Sequence, residues 1–98
     1  MAAHLGHGRK TVTTAATPVQ LTQASCTGVI VRALTSNTAV VTIGGDNTVR
    51  ATVGASQTGL VLAAGVSTEV LPVDDVGDIW IDAATNGEGV TYIYFYTA

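Results

Sequence analysis

Ninety-eight residues with one cysteine allow a single small domain and exclude an internal disulfide. Only 11% of the residues are charged, against roughly 25% in ordinary soluble domains. Formal net charge is −3, and beyond residue 10 two basic residues face seven acidic ones, so the body offers no basic footprint for nucleic acid.

Residues 1–17 are rich in Ala, Gly, His and Thr and show no apolar period, which predicts a flexible or extended N-terminal arm. The start, MAAHLGHGRK, lacks the hydrophobic region of a secretory signal. Pro18 opens the body, taken as residues 18–98. VQLT (19–22) and TGVIVRAL (27–34) read as strands. SNT (36–38) is a turn, and AVVTI (39–43) enters GGDN (44–47), a hairpin signal because Gly and Asn tolerate positive φ. TVRATV (48–53) is expected to pair back on 39–43, followed by a polar loop at 54–59. LVLAAGVSTEVL (60–71) reads as strand, tight turn at Ala64-Gly65, strand. PVDDVGD (72–78) is a corner, and DIWIDA (78–83) alternates Ile79, Ile81 and Ala83 against Trp80 and Asp82. TNGEG (85–89) is a turn before VTYIYFY (90–96).

Fourteen Val, sixteen Thr and five Ile favour pleated surfaces, and no run holds a helical period. Seven or eight short strands at this spacing predict an all-β domain, a small β-sandwich or jelly roll. No apolar run approaches the roughly 20 residues needed to cross a bilayer. Few charges on an apolar chain suit a subunit that hides surface in an assembly.

Chemistry finds little purchase. Cys26 has no histidine in the body to act as its base, so it reads as a small core residue. His4 and His7, three apart on the arm, lack further metal ligands nearby. Asp74, Asp75, Asp78 and Asp82 form an acidic cluster without a calcium-loop spacing, and read as a corner whose carboxylates bind local backbone. No catalytic, cofactor or metal residue is assigned. The candidate interface residues are aromatic. Tyr92, Tyr94 and Tyr96 share one face of the last strand, with Ile93 and Phe95 expected to fill the core from the other. Trp80, expected on the neighbouring strand of a 78–96 hairpin, extends the tyrosine face. That face is a contact surface, plain outer cover or the core face itself. Arg9 and Lys10 are the cations of the arm.

The runs CTGVIVRAL (26–34), IGG (43–45), LAAGVS (62–67) and VDDVGDIWIDAATNGEGVTYIY (73–94) resemble a small β-rich virion protein of tailed bacteriophages and prophages. The likeness covers about residues 19–96 and rests on strand and turn residues. It implies a non-enzymatic virion component without cofactor, made in the bacterial cytoplasm and carried on the capsid surface. Within that class the expectation is a capsid decoration, or cement, protein. Its partners would be the major capsid protein and itself, as a homotrimer or dimer, with the arm and the aromatic strand making contacts. Head–tail connector, neck and tail components belong to the same class. A carbohydrate-binding sandwich, with Trp80 and the tyrosines stacking on sugar rings, is the reading from a different class.

Overall fold

The computed structural model describes residues 3–52 and 57–97. In chain order, the strands are β1 (Ala3–Thr11), β2 (Val19–Gln20), β3 (Gly28–Ala33), β4 (Val41–Gly44), β5 (Leu60–Leu62), β6 (Trp80–Ala83) and β7 (Gly89–Thr97). A 3-10 turn, Val76–Asp78, precedes β6. The fold is all-β, with two antiparallel sheets: β1-β7-β3 and β2-β6-β4-β5.

The core lies between the sheets. Val29, Val31, Ala33 and Val90 face inward from the three-stranded sheet, and Val41, Ile43, Leu62, Ile81 and Ala83 from the other. Alternation puts these residues on one face of each strand, as the period-two pattern requires.

Within the segment expected to be a flexible or extended arm, residues 3–12 are extended and paired. β1 matches β7 over nine registered pairs, from Ala3↔Thr97 to Thr11↔Gly89. The pairing continues into Val12, which is buried and exchanges backbone hydrogen bonds with Glu88 O at 2.8 Å and Gly87 N at 2.7 Å. Met1 and Ala2 of that arm lie outside the described residues, as does Ala98.

Two expected elements differ. Residues 48–52 do not form a strand against β4, whose two sides are occupied by β5 and β6. With no free edge to join, the segment keeps one bridge, Arg50↔Thr58. Its apolar residues, Val49 and Ala51, are buried instead. Asp82 holds them down: its Oδ2 accepts from Ala51 N at 2.8 Å across the outer face of the four-stranded sheet. Val53 and the loop residues 54–56 lie outside the described residues. The second half of 60–71 is also irregular. It follows β3 through the bridges Val29↔Leu71 and Arg32↔Ser67 and extends the three-stranded sheet at its β3 side.

Turn chemistry is as the residues suggest. Gly65 and Gly87 carry φ of 77° and 82°, positions where a Cβ is strained. The 34–39 connection is tied to the start of β7 by side chains. Asn37 Nδ2 donates to Gly89 O at 2.9 Å while Asn37 Oδ1 accepts from Gly89 N. The Glu88 carboxylate accepts from Thr38 N at 2.6 Å, Thr38 Oγ1 at 2.9 Å and Ala39 N at 3.1 Å. The bond from the Thr38 backbone, above all, holds the Glu88 carboxyl below the ordinary glutamate range. A depressed carboxyl pKa stabilises the fold above the unfolded value and is lost as pH falls through the folded one. Glu88→Gln should therefore lower the melting temperature at neutral pH and flatten its fall in acid. Thermal melts over an acid pH series, with the two curves running parallel throughout, would contradict this.

Candidate interaction face

The tyrosine column faces inward. Tyr92 belongs to the core, 8% exposed, and Tyr94 packs on the core's edge. Ile93 and Phe95 therefore lie on the outer face of the three-stranded sheet, a correction to the expectation that they fill the core. The cause is on β1. Gly6 sits across from Tyr94 and Gly8 from Tyr92. A Cβ at Gly8 would lie 2.6 Å from Tyr92 Cζ, and one at Gly6 2.6 Å from Tyr94 Cε2. Two side-chain-free positions thus let the rings lie flat over the β1 backbone. The rings form a ladder: Tyr92–Tyr94 centroids at 6.3 Å, Tyr94–Tyr96 at 5.8 Å, and Tyr96 stacked on His4 at 5.3 Å. Burial, reinforced by neighbouring Tyr94, pushes the Tyr92 phenol up, against a hydrogen bond from the Thr22 backbone.

Trp80 does not join the column. β6 pairs with β2 and β4, and β7 with β1 and β3, so the expected 78–96 hairpin is a crossing from one sheet to the other. Trp80 alternates with the buried Ile81 and faces the outside of the four-stranded sheet, half-buried. Arg9 and Lys10 are exposed on opposite faces of β1. The outer face carries Arg9, the ring side carries Lys10.

The polar clusters are spent locally. His4 and His7 lie on opposite faces of β1, which removes them as a chelating pair. Asp75 Oδ1 accepts from Gly77 N at 2.7 Å and Ala24 N at 3.1 Å, capping the 3-10 turn. Cys26 is buried, and its thiol donates to Val73 O at 3.2 Å. Burial first, then the Asp75 charge, pushes that thiol above its ordinary range, away from nucleophilic use.

The outer face of the three-stranded sheet joins apolar and basic residues. Register sets three rows across β1, β7 and β3: Leu5–Phe95–Gly28, His7–Ile93–Ile30 and Arg9–Thr91–Arg32. Val70 completes the first row, because it lies over Gly28: a Cβ there would be 2.7 Å from Val70 Cγ1. Leu5 and Val70 are 61% and 53% exposed. Beside them, Ile30, Arg32, Ser67, Thr91 and Ile93 line a shallow groove of about 260 Å³. These rows were hidden in the sequence behind the tyrosines. The signal that pointed to them is the matched two-residue spacing of Gly6-x-Gly8 and Tyr92-x-Tyr94. No protein-family model, curated protein or solved structure matches this chain.

Proposed function

We propose that the chain is a structural protein of a tailed-phage particle, a capsid decoration protein that self-associates and stabilises the head shell by binding the major capsid protein. The observation that carries this reading is the apolar outer face of the three-stranded sheet, with Leu5 and Val70 exposed and Ile30, Ile93 and Phe95 half-buried, on a chain with only 11% charged residues. Such a face suits permanent contact more than a free surface. The likeness of residues 19–96 to small virion proteins supports the same reading, and the two sheets are read with it as a sandwich or jelly roll of the decoration type. The carbohydrate reading loses support, since Trp80 and the tyrosines share no face on which a sugar could stack.

Purified protein mixed with expanded heads of its own phage, stripped of accessory proteins, should cosediment with them and saturate in proportion to the capsid lattice. Binding confined to necks or tails would move the protein to the connector class. Absence of binding to any part of the particle would overturn the proposal.

A further inference from the structure

The outer face of the three-stranded sheet has a charge pattern that selects a partner. β1, β3 and β7 hold none of the chain's seven acidic residues and place two of its four basic ones, Arg9 and Arg32, on this face. Arg9 and Arg32 occupy the two ends of one row. The opposite row, four residues along each strand, is Leu5, Phe95 and Gly28 under Val70. The His7–Ile93–Ile30 row lies midway between them.

We propose that this face packs against the same face of a second copy, in a two-fold dimer whose axis runs across the strands at the Ile93 row. This rests on the self-association half of the reading above and not on the particle. Two limiting axes exist for stacking the face on itself. An axis parallel to the strands exchanges β1 with β3 and sets Arg9 of one copy over Arg32 of the other, like charge against like. An axis across the strands reverses their direction instead. Each Arg9–Thr91–Arg32 row then covers the Leu5–Phe95–Val70 row of the other copy, and Ile93 meets Ile93. The arginine rows end at opposite sides of the interface, with an aromatic and aliphatic floor beneath them. Arg9 then lies over Leu5 and Arg32 over Val70, on either side of Phe95, and the arginine stems add apolar cover. Stacked sheets align within about 30°, which keeps these rows in register. At ~3.3 Å per residue and ~4.8 Å between strands, the face measures roughly 30 Å by 15–20 Å. With side-chain relief added, that is on the order of the ~800 Å² per partner found in stable complexes. A contact of this kind is isologous and closes at two copies.

Sedimentation velocity of the full chain over a concentration series tests this. The wild type should run as a dimer. Ile93→Asp and Leu5→Glu should both run as monomers, while Tyr96→Ala, on the other face, should stay dimeric. Leu5 is 61% exposed, so Leu5→Glu keeps the test decisive if Ile93→Asp fails to fold. The axis has its own readout under oxidation. Ile93→Cys should cross-link with itself, whereas Thr91→Cys should cross-link only when mixed with Phe95→Cys. A wild type that is monomeric throughout overturns the proposal and leaves this basic, apolar face to an acidic protein surface. If that monomer still binds heads, the shell reading stands without the dimer. A trimer overturns the two-fold, and a dimer untouched by either face variant overturns the face.

Discussion

Deletion of residues 1–11 is expected to leave a chain that no longer folds at room temperature. β1 is the sole neighbour of β7 on one side, over nine registered pairs. Without it, nine residues of β7 present an open edge, and the Tyr92 and Tyr94 rings lose the backbone of Gly8 and Gly6 on which they lie. Truncating one buried large aromatic costs about 3–5 kcal/mol. Uncovering two rings and a strand edge together reaches the scale of the ~5–15 kcal/mol that holds a small domain folded. Circular dichroism should show loss of the cooperative thermal transition. A truncated chain melting within a few degrees of the parent would mean that β1 is an accessory arm after all.

The second large effect is expected from Gly89→Val. Gly89 begins β7 opposite Thr11, and a Cβ there falls inside contact distance of Lys10 O and 2.6 Å from Thr11 Cα. Both neighbours are backbone, so relief requires β1 to move away at the point where it enters the core through Val12. Gly89 is also the anchor for Asn37 and accepts from Leu34 N at 3.1 Å. Overpacking at a site that cannot relax costs about 1–3 kcal/mol, and the loss of these bonds adds to it. A total near 3 kcal/mol lowers the melting temperature by very roughly 12–24 °C in a domain of this size. Gly45→Ala serves as the control, since nothing lies within 4 Å of a Cβ at that position. Equal melting temperatures for the two variants would show that the Gly89 contact relaxes freely.

These effects concern positions where the sequence is quiet. The central strands were legible because β-branched residues alternate between turn signals: β3 and β6 fall inside their expected runs, β4 ends one residue past its run, β7 outruns its own by one residue at each end, and Ala64-Gly65 and Asn86-Gly87 are turns. β1 was not legible. Its Gly-His-Gly reads as low complexity until the tyrosines that need those gaps are set across from it. Alternation in β7 separates two faces but does not say which is inside. Ile93 and Phe95 are the more apolar set, yet the glycines make room for the rings on the opposite side, and tertiary packing decides. The placement of Trp80 failed for a related reason. An Asn-Gly turn between two strands signals a hairpin, but here the strands enter different sheets, and local pattern carries no information about sheet membership. Likewise 48–52 alternates as a strand should, but both sides of β4, its expected partner, are taken.

The candidate face was legible in part. Low charge pointed to a hidden surface and the aromatics to β7, whose inner and outer faces are the reverse of the expectation. Of the polar groups that invited chemistry, Asp75 caps the 3-10 turn, Asp82 Oδ2 accepts from Ala51 N and the Cys26 thiol donates to Val73 O.

The central claim, that this chain is a structural component of a head shell, is tested most directly by counting it. Quantitative mass spectrometry of purified particles of its own phage should find the chain at a copy number of the same order as the major capsid protein, and removed when accessory proteins are stripped from the heads. Absence from the particles would contradict the account.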